Sequence, residues 1–153
     1  MSKDKIVVKI QNDFLNQLRK EKIEVSLYLA NGIRLIDVIT GFDQYVIVLG
    51  SGSLKQLVFK NNMGTIVPKN FLFTPNMSDG NESLSITDQD EMLRKFMDDG
   101  KVLSVYLISG IKLDGMIVGF DTYVIFLSSN NVTQMIYKHS ITTIRRRLAL
   151  HQR

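Results

Sequence analysis

Apolar and polar positions follow two different periods along the chain, and the order of the two periods is repeated. The apolar side chains within residues 14–18 fall on one face of a predicted first helix, which Asn12 can cap. Residues 92–96 repeat that spacing in a predicted second helix, where Thr87 followed three residues later by Asp90 resembles a capping box. The pattern therefore predicts two amphipathic helices, one in each half of the chain.

Short β-rich runs follow each predicted helix. Asn31-Gly32 lies between two such runs and is a strong hairpin signal, and residues 109–110 are its weaker counterpart. The continuous apolar runs YVIVL at 45–49 and YVIFL at 123–127 predict strands that are buried on both faces. A helix followed by five short strands predicts a mainly β fold, a strongly bent and open antiparallel barrel in each half.

The two halves are copies of one sequence. Residues 26–49 align with residues 104–127 at a constant offset of 78, and 14 of the 24 positions are identical. The same offset continues without a gap, for example through Gln56 and Gln134. Chance does not produce this agreement, so the chain is interpreted as a tandem duplication of a unit of roughly 65 residues, copy one and copy two.

The predicted organisation is a first domain at 1–68, a linker at 69–87, a second domain at 88–147 and a basic tail at 148–153. Turn-forming and acidic residues dominate the stretch 68–87, which holds both prolines of the chain, Pro68 at the end of the first domain and Pro75 in the linker. The apolar run FLF at 71–73 is unusual in such a segment. We expect it to pack against a barrel, and docking of a peptide is the alternative.

An open barrel has two unpaired edges, and edges of this kind pair readily with another copy. A unit this small also buries too little surface to be comfortably stable alone. Two copies in one chain satisfy one such edge. The outer two edges remain unless several chains join into a ring.

Composition narrows the possible chemistry. The net charge of +4 permits a polyanionic partner without requiring one. The chain has no Cys, which excludes disulfides and thiolate zinc, and its two His residues have no carboxylate at a useful spacing, so neither an enzyme nor a metal or cofactor site is expected. No apolar run approaches the roughly 20 residues that a membrane span needs, and no targeting segment is recognised. A cytoplasmic protein is therefore expected.

The motifs NGIRL…FDQYVIVL at 31–49 and SGIKL…FDTYVIFL…QMIYKHSITTI at 109–144 resemble the Hfq proteins, bacterial members of the Sm/Lsm family. The resemblance covers roughly 11–68 and 89–145, and its most specific part is YKH at 137–139 downstream of FDxY. It implies two Sm-like folds. Hfq proteins are mostly single-core chains that assemble as hexamers, so the resemblance also implies a homotrimer whose six barrels form one ring.

The resemblance implies single-stranded RNA as a partner, bound on two faces and a rim. One face resembles the uridine-binding face of the family, where aromatic rings stack on bases. Its residues here are Gln11, Gln44, Tyr45, Lys60, Gln89, Tyr123, Lys138 and His139. Copy one has Asn61 where copy two has His139, so the pockets of a ring are expected to alternate in kind. The alternative for both tyrosines is a place in the core beside an apolar run.

The other face resembles the adenine-binding face, where tyrosine and isoleucine side chains can sandwich a purine. Its residues here are Tyr28, Gly32, Ile33, Arg34, Gln56, Tyr106, Gly110, Ile111, Lys112 and Gln134. The alternative for Gly32 and Gly110 is a purely conformational role in their hairpins. Asp114 departs from the family pattern and is expected to repel phosphate.

The rim is asymmetric between the copies. Arg19, Lys20 and Lys22 lie at the end of the first predicted helix and match the basic rim of the family, which contacts RNA backbones. Copy two has MDDG at 97–100 instead. A solvated helix end that favours cations is the alternative.

Two functions remain open at this point. The first is an RNA chaperone that binds U-rich and A-rich RNA and pairs small regulatory RNAs with messenger RNAs. The second is a structural or protein-interaction ring that has kept the fold and lost much of the RNA surface.

Overall fold

The computed structural model describes residues 9–77 and 87–148. Copy one contains helix α1 and five strands, at Lys9–Lys20 (α1), Glu24–Leu29 (β1), Arg34–Phe42 (β2), Val46–Leu49 (β3), Gln56–Phe59 (β4) and Met63–Pro68 (β5). Copy two repeats this order, at Asp88–Asp99 (α2), Leu103–Leu107 (β6), Lys112–Phe120 (β7), Val124–Ser129 (β8), Val132–Tyr137 (β9) and Ile141–Arg146 (β10). One turn of 3-10 helix precedes the last strand of each copy.

Both predicted helices form, but only one of the predicted caps is correct. The Thr87 hydroxyl accepts a hydrogen bond from the Asp90 N–H at 3.1 Å, and Gly100 ends α2 in the left-handed conformation with φ 63°. The expected cap at Asn12 is wrong, because α1 is already helical at Lys9 and Asn12 lies inside it. Ile10, four residues before Phe14, is buried with it, so the apolar stripe starts one turn earlier than predicted.

The ten strands form one continuous antiparallel sheet, in the order β10-β6-β7-β8-β9-β5-β1-β2-β3-β4. In each copy the first strand pairs with the second and the fifth, and the fourth strand does not pair with the fifth. Register shifts at Gly41 and Gly119 interrupt the pairing of the second and third strands, and such bulges bend a sheet. Each copy is therefore a bent, open five-stranded barrel, as predicted.

The copies are joined edge to edge through β5 and β9. Thr65 lies opposite Ile136 and Ile66 opposite Met135 in this antiparallel pair. Among the described residues, β4 and β10 lie at the two ends of the sheet with one strand neighbour each. The open barrel predicts pairing between copies, and the chain contains one such pairing. We call this contact between β5 and β9 the internal junction.

The core that contains α1 is shared by both copies. Phe14 is fully buried and makes edge-to-face contacts with Phe73 and with Phe126 of copy two, whose ring centroids lie 5.1 and 5.2 Å away. Aromatic pairs of this geometry stabilise a core beyond their buried area. Helix α1 therefore covers the internal junction as well as its own barrel.

The segment at 71–77 is part of that core. Phe71 is buried, its carbonyl accepts a hydrogen bond from the Thr133 N–H at 2.9 Å, and the Phe73 N–H donates to the Thr133 hydroxyl at 3.0 Å. Pro75 packs against Gly119. The expectation that FLF packs against a barrel is confirmed, and the barrel is that of copy two.

The two continuous apolar runs have different surroundings. In copy two, the residues from Val124 to Leu127 are all buried, as predicted. In copy one, Val46 and Val48 are only half-buried, so the prediction is wrong for one face of β3. The reason is that α1 and Phe73 cover the corresponding face of β8, whereas no described element covers that of β3. Neither described helix is long and apolar enough to cross a membrane.

Candidate nucleic-acid interface

The two tyrosines predicted for uridine lie in equivalent turns between strands. The Asp43 carboxylate accepts hydrogen bonds from the N–H groups of Tyr45 and Val46, at 2.8 and 2.9 Å. Asp121 holds the Tyr123 turn in the same way. Because the carboxylates fix the backbone, the rings project outward, with 67% and 50% of Tyr45 and Tyr123 exposed. Neither tyrosine is therefore a core residue.

A lysine lies beside each tyrosine. The Lys60 N–H donates to the Tyr45 carbonyl at 2.8 Å, and the Lys138 N–H donates to the Tyr123 carbonyl at 2.9 Å. Burial lowers the pKa of both ammonium groups, while nearby carboxylates oppose the shift. Each turn thus presents an exposed aromatic ring together with a half-buried cation.

The two predicted glutamines near the helix starts are placed differently. Gln11 is buried in the internal junction, where its N–H donates to Asp121 at 3.1 Å and its side-chain oxygen accepts from the Tyr137 hydroxyl at 3.0 Å. Gln89 is exposed and accepts a hydrogen bond from the Lys138 ammonium. Gln44 is exposed beside Tyr45.

The shared turn motif has opposite electrostatics in the two copies. Hydrogen bonds from Tyr45 and Val46 lower the pKa of Asp43. Burial raises the pKa of Asp121, although hydrogen bonds from Tyr123, Val124 and Gln11 oppose that shift. Asp121 also favours the charged form of Lys60, so groups of both copies influence each other across this surface.

The His139 side chain of copy two contacts the backbone of copy one. Its Nε2 donates to the Met63 carbonyl of copy one at 2.8 Å, and the Ser140 hydroxyl donates to the same oxygen. The His139 ring also stacks on Tyr137, with centroids 5.5 Å apart. The predicted uridine residue is thus oriented by the internal junction.

The second predicted surface is built on the two hairpins. Gly32 and Gly110 have φ of 91° and 94°, and a side chain at either position would meet nothing within 4 Å. The glycines are therefore needed for the turn conformation, which turns the exposed Ile33 and Ile111 outward.

Residues of both copies form one pocket of about 200 Å³ at the internal junction. Copy one contributes Tyr28, Gly32 and Thr65, and copy two contributes Ile111 and Gln134. The Thr65 hydroxyl lies 3.0 Å from the Gln134 side-chain oxygen and 2.9 Å from the Met135 carbonyl, so the Gln134 amide is held at the pocket wall. An aromatic ring, an aliphatic side chain and an amide are the groups that sandwich and hydrogen-bond a base.

The remaining predicted residues of this surface lie outside the pocket. Arg34 donates two hydrogen bonds to Ser26 and lies over the Tyr28 ring, and Gln56 is exposed on the outer strand β4. In copy two, Lys112 lies 3.8 Å from the Asp114 carboxylate.

The predicted rim residues lie at the end of α1. The Arg19 guanidinium donates to the Asn16 side chain at 2.6 Å, and Lys20 and Lys22 are exposed. Lys22 has φ 53°, in the position that Gly100 occupies in copy two. A lysine in this conformation costs about 1–2 kcal/mol.

Sequence reasoning missed residues that complete these surfaces across the internal junction. Thr65 lines the pocket, and Tyr137 orients both Gln11 and His139. Both belong to β5 or β9, and only the pairing of these strands brings them to the other copy. Within 9–77 and 87–148, no group of three His, Cys, Asp or Glu side chains could hold a metal ion.

Comparison with known proteins gives a consistent result. The family model of the Hfq protein matches residues 10–73 and again residues 88–149. The RNA-binding protein Hfq of Alkaliphilus metalliredigens is 46% identical over 61 residues, which span 40% of this chain and 76% of that protein. A 1.55 Å crystal structure of the pleiotropic translational regulator Hfq is 32% identical and covers 39% of this chain and 98% of its own, with a TM-score of 0.37.

Fold and sequence together define a protein with two Sm-like folds in one chain, whose copies share a pocket where they meet. The chain belongs to the Hfq family, as the double match of its family model shows.

Proposed function

We propose that the protein is a non-catalytic RNA chaperone that binds single-stranded RNA in the cytoplasm. It binds U-rich RNA at the Tyr45 and Tyr123 turns and A-rich RNA at the Tyr28 pocket. By holding both kinds of sequence, it promotes the pairing of small regulatory RNAs with messenger RNAs. Binding requires neither a metal nor another cofactor.

The pocket shared by the two copies is the observation that carries this proposal. A purine stacked between Tyr28 and Ile111 removes two apolar surfaces from water, and stacking on an aromatic ring is worth about 1–3 kcal/mol per base. The Gln134 amide beside Thr65 carries both a carbonyl oxygen and N–H groups, and we propose that it hydrogen-bonds the edge of the base.

The Tyr45 and Tyr123 turns suit a different ligand geometry. Each exposed ring offers a stacking surface, and the neighbouring lysine offers a positive charge for a phosphate or a carbonyl oxygen. His139 of copy two and Asn61 of copy one differ at the equivalent position, so we propose that copy two is the stronger uridine site.

We further propose that three chains close into a six-barrel ring. Closure pairs β10 of one chain with β4 of the next and repeats the contact that β5 makes with β9. Leu57 on β4 is 59% exposed, whereas its copy-two equivalent Met135 is fully buried at the internal junction. Closure would bury such side chains in the same way, which stabilises the assembly.

The rim proposal rests on a strained residue. Lys22 occupies a backbone conformation that favours glycine, and copy two has a glycine there. We propose that the positive charge of Lys22, with Arg19 and Lys20, attracts RNA phosphates. A ring of three chains then carries three basic rims, because each chain contributes one from its copy one.

Titration with two RNAs tests the proposal. Wild-type protein is titrated with oligo-U and with oligo-A at two salt concentrations, and binding of both with a marked salt dependence is expected. Tyr45→Ala with Tyr123→Ala should weaken oligo-U selectively, and Tyr28→Ala should weaken oligo-A selectively. Each variant is the matched control of the other. Equal loss of both RNAs would show that the two surfaces are wrongly assigned.

The second candidate function is a structural ring with little RNA binding. Asp114 beside Lys112, and the acidic residues Asp98 and Asp99 where copy one has a basic rim, favour this alternative. It predicts a trimeric mass without micromolar affinity for either RNA at low salt.

A further inference from the structure

Copy two carries residues equivalent to those of the Tyr28 pocket, centred on Tyr106, and their chemistry is different. The offset of 78 pairs Tyr28 with Tyr106 and Thr65 with Thr143, so the aromatic ring and the hydroxyl are retained. Val67, which lines the Tyr28 pocket, corresponds to Arg145. An apolar wall is thus replaced by a guanidinium.

The position of Arg145 is defined by the sheet. Thr143 pairs with Tyr106 and Arg145 pairs with Ser104, so all four side chains lie on the same face of β6 and β10. The Arg145 guanidinium carbon lies 5.7 Å from the centre of the Tyr106 ring. The planar cation therefore lies over the tyrosine ring. In copy one the Arg34 guanidinium lies 5.9 Å from the centre of the Tyr28 ring, but its Nε and Nη2 both donate to the Ser26 hydroxyl.

Asp114 makes the same face unfavourable for phosphate. Its carboxylate accepts a hydrogen bond from Ser104 at 2.7 Å, and Ser104 lies between Asp114 and Arg145 in the sheet. In copy one the equivalent residue is Ile36. The Lys112 ammonium lies 3.8 Å from this carboxylate and offsets part of its charge. The carboxylate still weakens the attraction of Arg145 for a phosphate, so we expect the neutral base beside Arg145.

We propose that the Tyr106 pocket selects guanine, whereas the Tyr28 pocket selects adenine. Arginine carries only donors, and it forms paired hydrogen bonds with the O6 and N7 acceptors of guanine. Adenine presents an amino group in place of O6, which is a donor and cannot accept from arginine. This inference rests on the proposed function, because the opposite wall of the Tyr106 pocket is copy one of the next chain in the ring.

The test uses 12-nucleotide RNAs that contain adenine at every second position and adenine, guanine, inosine or 7-deazaguanine at the others. Affinities are measured by fluorescence anisotropy for the full chain. Wild type should bind the guanine RNA at least about fivefold more tightly than oligo-A. Inosine keeps O6 and N7 and should retain the preference, whereas 7-deazaguanine lacks N7 and should lose most of it.

Variants assign the preference to Arg145. Arg145→Val installs the residue of copy one and should abolish the guanine preference, measured as the ratio of guanine-RNA to oligo-A affinity, with a larger loss for the guanine RNA than for oligo-A. Arg147→Val removes the same charge two residues along the chain and should leave the ratio unchanged. Val67→Arg should extend guanine preference to the Tyr28 pocket. Circular dichroism and molecular mass report whether each variant keeps its fold and assembly.

The outcomes separate this inference from the function on which it rests. If wild type binds no RNA at all, both are overturned. If oligo-A binds but the guanine ratio is the same in wild type and Arg145→Val, only the guanine pocket is overturned. An equal loss of affinity for all four RNAs in Arg145→Val would also overturn it, because that is the behaviour of a phosphate contact.

Discussion

The internal junction and the two ends of the sheet contain equivalent residues in different surroundings. Tyr137 is 2% exposed at the junction, and its equivalent Phe59 on β4 is 53% exposed. Phe14 on α1 is fully buried against copy two, and its equivalent Met92 on α2 is 51% exposed. The neighbour, more than the repeat itself, decides which apolar residues are buried. The residues exposed at the ends of the sheet are therefore equivalent to residues that are buried at the internal junction.

The largest expected effect is the loss of ring closure. Leu57→Asp adds a charge to β4 where closure would bury it, and burial of an unpaired charge is strongly unfavourable. Because Leu57 is exposed in the single chain, the fold should survive. Light scattering should change from three times 17.4 kDa to 17.4 kDa. Met116→Asp, an exposed position on the paired strand β7, is the control and should remain trimeric.

The next effect concerns the shared core. Phe14→Ala removes a fully buried ring with three aromatic neighbours and should lower the free energy of unfolding by about 3–5 kcal/mol. Met92→Ala at the equivalent position should cost less than about 1 kcal/mol in dissociated chains. Urea unfolding at several protein concentrations measures both. If Phe14→Ala and Met92→Ala lowered the free energy of unfolding of the dissociated chain equally, α1 would not cover the internal junction.

A smaller effect is expected from loss of the hydrogen bond between Tyr137 and Gln11 at the internal junction. Phe59, the equivalent of Tyr137 on β4, cannot form this bond. Tyr137→Phe leaves the buried Gln11 side-chain oxygen without its donor and should cost about 1–3 kcal/mol. Phe59→Tyr is the reciprocal change and should strengthen contact between chains, measured as slower dissociation on dilution. No change in stability for Tyr137→Phe would exclude this hydrogen bond as a source of the difference between the two contacts.

A substitution in the rim should change the stability by a similar amount but in the opposite direction. Lys22→Gly should stabilise the protein by about 1 kcal/mol, because glycine adopts the left-handed conformation without strain. It should also weaken RNA binding and reduce its salt dependence. Lys101→Gly, which follows α2, is the control for lost charge. Unchanged salt dependence in Lys22→Gly would remove Lys22 from the rim.

The smallest effect is a pH dependence. Burial lowers the pKa of Lys60 and Lys138, so both lose their charge at a lower pH than the ordinary value of 10.5. Affinity for oligo-U should therefore decline as the pH rises toward that value. Arginine does not titrate in this range, so Lys60→Arg with Lys138→Arg should flatten the decline. Uracil also loses a proton at alkaline pH, and the double variant controls for it. Identical pH profiles would contradict a role for the lysine charges.

Features encoded within one copy could be predicted from the sequence. The constant offset of 78 required both copies to have the same strand order, and the Asn31-Gly32 pair marked a hairpin that the structure confirms. The Asp43 and Asp121 turns are local as well, because each aspartate accepts a hydrogen bond from the backbone N–H two residues along the chain, as aspartate commonly does in turns.

Features that depend on contact between the copies could not be predicted in this way. No local pattern distinguishes Gln11, buried against Asp121, from the exposed Gln89. Thr65 and Gln134 are 69 residues apart and meet only because β5 pairs with β9. Their contact depends on which strand edges find each other, and a barrel edge carries little sequence information about its partner.

The presence of both copies in one chain, paired through β5 and β9, also has a numerical consequence. Any closed ring made solely of this chain contains an even number of barrels, so rings of five or seven are excluded by parity. Neighbouring barrels are also always of opposite type. A substitution in one copy is therefore repeated at only every second barrel of a ring, whereas in a ring of identical single-barrel subunits it appears in every barrel.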